Sequence, residues 1–338
     1  MIEKRALLLF AAALVLCGCS GTTLEVLERK PSSFLERRGK ELYLDARPYR
    51  FLSFNAFTLT GCGLEGEVPD DAQLDAFFAT LRPRSLVRTF ALEAWGVPNV
   101  ERVVEAARAR GHLLTLVLGD DAGSCADGGV KKTEAWYASG FRDGYLPWVQ
   151  TIVARFADDP VVGMWEPVKG ATEVDALTLR TFYDVVGGEI RTLDEHHLIE
   201  SGTHGPWAYG SEENYALIHA SAGLDVATVH DYDTGAVVPP NLEASLRSIA
   251  ALDKPLVIAE LGMLASSTGD PNQRDGAMVC LSFQDRRDAL RRQFDAAFAT
   301  PISGINVWNW MPVRRDGCNL TIDPADPMQA LMRGFALP

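Results

Sequence analysis

Eight short apolar runs, each followed by an amphipathic stretch, constrain the fold of this chain more than any other feature. The runs are rich in β-branched residues and lie near 50–57, 85–91, 113–118, 161–168, 198–201, 225–230, 255–260 and 304–309. The stretches after them predict helices over 70–81, 99–110, 133–157, 175–195, 213–221, 241–252 and 284–299, and a last one over about 326–335. Strands that alternate with helices form a parallel sheet, because each helix carries the chain back across the sheet. Eight such units predict an α/β fold of one domain, a single (β/α)8 barrel over 38–338, rather than an open doubly wound sheet. An open sheet binding a dinucleotide would carry a glycine-rich phosphate loop after its first strand. Thr60-Gly-Cys-Gly-Leu-Glu-Gly lacks that spacing. Upstream, Glu41-Leu-Tyr-Leu, Asp45-Ala-Arg-Pro and Tyr49-Arg-Phe-Leu predict a hairpin feeding the first strand.

The first residues predict processing rather than fold. Lys4-Arg5 precede an apolar run, Ala6 to Leu16, that is too short to span a bilayer. Leu16-Cys17-Gly18-Cys19 resembles a bacterial lipobox, so residues 1–18 are expected to be a lipoprotein signal peptide and Cys19 the lipidated residue. Acyl chains bind a bilayer by burying methylenes, at about 0.8 kcal/mol each. Residues 20–37 are polar and contain Pro31-Ser32-Ser33, which predicts a tether. The expected location is therefore the cell envelope, with the outer membrane as the site in a Gram-negative cell. Export implies an oxidising compartment, where Cys62, Cys125, Cys280 and Cys318 can pair in three ways. The barrel reading favours Cys62–Cys125 and Cys280–Cys318, since each pair joins neighbouring loops.

Charge narrows the partners. The formal net charge is −13, and removing Glu3, Lys4 and Arg5 with the leader makes it −14. Such a surface repels nucleic acid and anionic lipid, and no basic cluster opposes this. A neutral oligo- or polysaccharide meets no such barrier. The six histidines show no ligand spacing, and no G-x-S-x-G occurs. No metal or cofactor is expected, and the chain is expected to act as a monomer.

In a barrel of this kind the C-terminal strand ends line the site. There the sequence delivers Asn55 from the first strand, Arg88 from the second, Glu166 from the fourth, His230-Asp-Tyr232 from the sixth, Glu260 from the seventh and Trp308 from the eighth. A carboxylate closing a buried strand is expensive unless it is paired or catalytic. Ile258-Ala-Glu260-Leu-Gly, His230-Asp-Tyr232, the Trp308 strand and Asp158-Asp-Pro-Val-Val-Gly-Met-Trp-Glu166 together resemble the (β/α)8 retaining enzymes of glycoside hydrolase clan A. The match is nearest to family 5 and its β-mannanase- and cellulase-like members. The resemblance runs from about Glu36 to the C-terminus. It implies Glu260 as the nucleophile, with Arg88 and Tyr232 holding it ionised. It implies His230 and Asn55 in the pocket and Trp308 stacking on a sugar. Trp207, in the loop after the fifth strand, is a further platform candidate, whereas Trp136 and Trp148 fit a helix core.

One part of the pattern departs from the family. Retaining hydrolysis uses two carboxyls about 5–5.5 Å apart, the second acting as acid and then base. In the family the fourth strand ends in Asn-Glu, the Glu being the donor. Counting without gaps from Pro160 puts Lys169-Gly170 there. The alternative alignment makes Glu166 the acid/base, but strand spacing of about 3.3 Å per residue puts it roughly 13 Å below the catalytic level. Glu173 and Glu93 are remote substitutes. Three functions therefore stand open at this point: a retaining hydrolase of a neutral mannan- or glucan-type β-glycan, a non-catalytic glycan-binding protein, and a structural lipoprotein whose barrel only displays loops to a partner.

Overall fold

The computed structural model describes residues 33–338 except 63–67, 127, 233–236, 239 and 277. The expected signal peptide, Cys19 and nearly all of the expected tether lie outside the described residues. Eight parallel strands form the core: β1 (Phe51–Phe54), β2 (Leu86–Phe90), β3 (Leu113–Val117), β4 (Val162–Glu166), β5 (Leu198–Ile199), β6 (Ala227–Asp231), β7 (Leu256–Leu261) and β8 (Gly304–Val307). They pair as two half-sheets, β1-β8-β7-β6 and β2-β3-β4-β5. Single parallel bridges, Asn55 with Arg88 and Glu200 with Val226, join the halves at both seams. The fold is a (β/α)8 barrel.

The helices follow from the sequence pattern and its caps. They are α1 (Asp71–Ala79), α2 (Gly96–Arg110), α3 (Glu134–Ala138), α4 (Tyr145–Phe156), α5 (Ala176–Leu193), α6 (Glu212–His219), α7 (Pro240–Ser248), α8 (Phe283–Phe298) and α9 (Met328–Gly334). Asp70 and Gln73 form a reciprocal capping box on α1, and Asp175, Ser211 and Ser282 cap α5, α6 and α8. The single helix expected over 133–157 is instead α3, a 3-10 turn over Gly140–Arg142, and α4. Ser139 leaves helical geometry and Gly144 sits at φ 84°, a left-handed conformation that glycine takes without strain.

Alternation along each strand sorts two cores. Outward residues such as Val87, Val162 and Trp165 pack under the helices. Inward residues Leu86, Met164 and Val257 fill the barrel floor with Leu35, Leu42, Leu44 and Phe51. That floor is covered by a three-stranded antiparallel sheet, Glu36–Arg38, Glu41–Leu44 and Arg47–Tyr49, in place of a simple hairpin. The tether expected to reach residue 37 is correspondingly shorter, since Leu35 is fully buried in the floor and Glu36–Arg38 is a paired strand.

Between β7 and α8 the chain makes an unexpected small sheet of Ala265–Ser266, Asp270–Asp275 and Met278–Ser282. Its Asp270–Asp275 strand is polar and exposed throughout, so no apolar alternation marks it. Disulfides join Cys62 to Cys125 and Cys280 to Cys318. The first anchors the loop after β1 to the loop after β3, and the second ties the small sheet to the loop after β8. No helix among the described residues is long and apolar enough to cross a membrane.

Candidate active site

The barrel interior carries charge directly above its apolar floor. On β2, alternation turns Leu86, Arg88 and Phe90 inward, so Arg88 rises one layer above the floor and is 1 % exposed. Its guanidinium is shared three ways. Nε and Nη2 each donate at 2.6 Å to the two oxygens of Glu166. Nη1 donates to Asn55 Oδ1 at 2.6 Å and to Glu260 Oε1 at 3.0 Å. A planar donor fork facing two carboxylates favours the charged state, so Arg88 is held above its ordinary pKa despite burial.

Glu260 owes its direction to a bulge. The pairing of β7 with β6 slips between Ile258 and Glu260. Strict alternation from the inward Val257 would send Glu260 outward, and the extra residue, Ala259, turns it into the barrel. The freed Ala259 carbonyl accepts from Asn55 Nδ2 at 2.7 Å. Asn55 thus fixes both the bulge and Arg88. The second Glu260 oxygen accepts from Tyr232 Oη at 2.5 Å and lies 3.4 Å from His230 Nδ1. Loss of solvent, and then the Glu260 carboxylate beside it, push the phenol well above its usual pKa, so Tyr232 keeps its proton and donates it to the hydrogen bond.

His230 is buried, and neither ring nitrogen has a hydrogen-bond partner among the described residues. Burial, with His204 and the cationic Arg88 and Lys169 nearby, holds its pKa well below the usual value, and the ring is neutral. A neutral, unpartnered imidazole beside Glu260 suits a sugar hydroxyl, which can both donate and accept.

Glu166 is fully buried, and Arg88 takes both of its oxygens, so it faces no leaving group from this position. Glu200, also 1 % exposed, lies behind it. Desolvation and the Glu166 charge keep Glu200 well above the usual carboxyl pKa, and its proton can be donated to Glu166. Glu173 is solvent-exposed and pairs with Lys131 at 2.9 Å. Glu93 is exposed on a 3-10 turn, Glu93–Trp95, beside a cavity of about 530 Å³ that Asp120, Lys132 and Trp136 also line.

Trp308 is half-buried, with Phe57 parallel to its ring at a centroid distance of 5.0 Å. Lys169 Nζ stands 5.3 Å from the same ring and 3.4 Å from Asp120. Trp207 is 63 % exposed, with its ring 5.7 Å from His204. Trp148 is buried, its indole N–H donating to the Ala91 carbonyl, and Trp136 joins the aromatic cluster of Tyr137, Phe141, Tyr145 and Phe182. The described residues contain no cluster of side chains able to hold a metal ion.

Two residues at this site were not singled out from the sequence, His204 and Glu200. Their signal was position, since both follow β5 within a few residues. That strand is only two residues long and its run is barely apolar, so the sites after it were not read off.

The fold is a (β/α)8 barrel similar to those of family 5 glycoside hydrolases. No family model matches the chain. Among curated proteins it is similar to mannan endo-1,4-beta-mannosidase 2 of Oryza sativa, 22 % identical over 303 residues, covering 68 % of this chain and 67 % of the relative. It is also similar to mannan endo-1,4-beta-mannosidase A of Podospora anserina, 26 % identical over 195 residues, 49 % of this chain and about half (51 %) of the relative. Among solved structures, a glycoside hydrolase family 5 mannosidase from Rhizomucor miehei superposes with a TM-score of 0.68 at 14 % identity, covering 89 % of this chain and 96 % of that one. An endo-β-1,4-mannanase from Thermotoga petrophila gives a TM-score of 0.66 at 14 % identity, covering 84 % and 76 %.

Proposed function

We propose that this chain is a glycoside hydrolase that cleaves mannan or a related neutral β-glycan with retention, using Glu260 as the nucleophile. The observation that carries this is the Glu260 carboxylate at the end of β7, with Arg88 on one oxygen and Tyr232 on the other. Both donors hydrogen-bond and orient the carboxylate, the group that would attack an anomeric carbon. The mannosidase relatives and the acidic, nucleic-acid-repelling surface support the same substrate class. His230 offers hydrogen bonds to a sugar hydroxyl, and Trp308, backed by Phe57, offers a rigid ring for stacking.

The test is covalent trapping. The full chain is incubated with a 2-deoxy-2-fluoro β-mannoside carrying a dinitrophenyl leaving group and digested, and the modified residue is located by mass spectrometry. The expected adduct is on Glu260, and proton NMR of turnover on β-mannan is expected to give the β-anomer first. An adduct elsewhere, or inverted product, overturns the assignment.

The second reading is glycan binding without turnover. It is favoured by Gly170, which supplies no carboxyl where the family has its donor. Calorimetric binding of mannooligosaccharides with no hydrolysis over days would select it. In either case the lipobox supports an envelope-anchored lipoprotein with Cys19 as the lipidated residue. Cys19→Ala is expected to release the protein from the membrane fraction.

A further inference from the structure

Among the described residues the site holds the proposed nucleophile, Glu260, but no second carboxyl facing it. What stands in the donor's space is an imidazole. Gly170 takes φ +71°, a conformation that suits glycine and disfavours any residue with a side chain. Its N–H donates to the Gly202 carbonyl at 2.7 Å, which fixes the turn. A Cβ built on Gly170 would meet His204 Nε2 at 3.3 Å, about the reach of a glutamate carboxyl from its own Cβ. The His204 ring is half-buried and stands edge-on to His230 with centroids 4.6 Å apart, and His230 in turn lies 3.4 Å from Glu260. His204 is therefore one ring away from the nucleophile, on the side where the acid catalyst belongs.

We propose that His204 is the acid/base residue of this site, replacing the carboxyl that Gly170 cannot supply. This rests on the glycosidase function proposed above. In the first step the imidazolium gives its N–H proton to the glycosidic oxygen while a Glu260 oxygen attacks C1. The C1–O bond to the leaving sugar breaks, and that sugar departs as an alcohol. In the second step neutral His204 takes a proton from water, whose oxygen attacks C1. The ester bond to Glu260 breaks, the carboxylate is restored and His204 is again the imidazolium. A backbone hydrogen bond with Gly170 favours the protonated form of the ring.

The charged and titratable groups around His204 are Glu260, which favours the imidazolium, Lys169 and Arg88, which oppose it, and the neutral His230 ring beside it. Burial outweighs Glu260, and the His204 pKa lies below the usual histidine value of 6.5. A donor of this kind works on the acid side of neutrality, so the alkaline limb of the pH–rate profile should fall below pH 6.5.

The experiment compares wild type, His204→Ala and His204→Gln on two substrates, a β-1,4-mannooligosaccharide and 2,4-dinitrophenyl β-mannoside, whose leaving group needs no proton. Expected for both variants is a loss of about 10²–10⁴-fold in kcat/KM on the oligosaccharide. On the aryl glycoside kcat/KM should be nearly unchanged, with kcat and KM falling together because the base for the second step is gone. Azide should restore kcat and yield the β-glycosyl azide, and the alkaline limb should disappear. An equal loss on both substrates without azide rescue would make His204 a structural residue and overturn the proposal while the Glu260 assignment stands. Unchanged oligosaccharide turnover overturns it as well. If wild type turns over neither substrate, the glycosidase assignment itself fails. If His204→Ala does not fold, His204→Gln with azide carries the same decision.

Discussion

Glu166→Gln isolates the role of the carboxylate beneath the site. In the wild type Arg88 is held by Glu166 through two contacts of 2.6 Å and by Glu260 at 3.0 Å, all nearly solvent-free. Removing one partner of a buried ion pair generally costs about 3–5 kcal/mol, because the remaining charge is left uncompensated. Here a reserve exists. Glu200 is kept protonated by burial first and by the Glu166 charge second, while Arg88 pulls the other way. Neutralising Glu166 removes the repulsion and leaves the pull, so Glu200 ionises and takes up part of the compensation. The net loss should therefore lie below that range, at about 1–3 kcal/mol. In a chain of this size that lowers Tm by roughly 1–5 °C. The matching assay is thermal and urea unfolding of Glu166→Gln, Glu200→Gln and the double variant, with turnover of dinitrophenyl β-mannoside in parallel. Turnover should stay near wild type in Glu166→Gln, since Glu166 touches no substrate. The double variant should be less stable than the sum of the singles by about 1–3 kcal/mol, because the reserve is gone. A Glu166→Gln protein that melts like wild type yet loses oligosaccharide turnover, with rescue by azide, would falsify this assignment and make Glu166 the acid/base. Strict additivity would remove the reserve-charge argument alone.

Three further outcomes follow from the same contacts. Glu200 has a folded pKa raised above its ordinary 4.5, so its contribution is fully present below that value and is lost as pH rises toward the folded pKa. Wild type should lose stability relative to Glu200→Gln above pH 4.5, with a slope of up to about 1.4 kcal/mol per pH unit in urea titrations. Tyr232→Phe removes a 2.5 Å hydrogen bond to Glu260, the proposed nucleophile. Bonds to charged groups are worth about 1.5–3 kcal/mol, so kcat/KM on the aryl glycoside should drop by roughly 10- to 150-fold with the fold intact by circular dichroism. Paired serine substitution of Cys62 and Cys125 opens a closure between residues 63 apart. It should cost about 2–4 kcal/mol in unfolding free energy. It should also weaken oligosaccharide binding, because that disulfide sits in the cluster with Phe57 that backs Trp308.

The barrel was legible because its signal is repeated eight times and each repeat is set by burial, which composition reports directly. Arg88, His230, Tyr232, Glu260 and Trp308 were legible for a related reason: each is a polar or aromatic residue closing an apolar run. What was not legible depends on backbone detail. The bulge at Ala259 decides which way Glu260 faces, yet Ile-Ala-Glu reads as plain alternation. The Asp270–Asp275 strand pairs with Met278–Ser282 without an apolar face. The break at Ser139–Gly144 hides inside an amphipathic pattern that continues on both sides. Glu200 and His204 follow a strand too short to announce its own end.

The departure at Lys169-Gly170 is a coordinated change rather than a gap. The chain after β4 continues as an extended segment: the Lys169 N–H donates to the Gly119 carbonyl, its own carbonyl accepts from Asp121, and the Gly170 N–H donates to the Gly202 carbonyl. A segment bonded on both sides is not free to present a side chain into the cleft at will, and the positive φ at Gly170 denies it one. The space so left is filled from the next strand's loop by His204, while the Lys169 side chain reaches Asp120 and the Trp308 ring. Restoring the family residue alone would therefore not restore the family site. Gly170→Glu would place an L-residue in the left-handed region, at about 1–2 kcal/mol, and drive its Cβ toward the His204 ring. The neighbouring loop has been built around the absence of a side chain at 170. For that reason the proton donor of this barrel is to be sought on the loop after β5 and not at the end of β4.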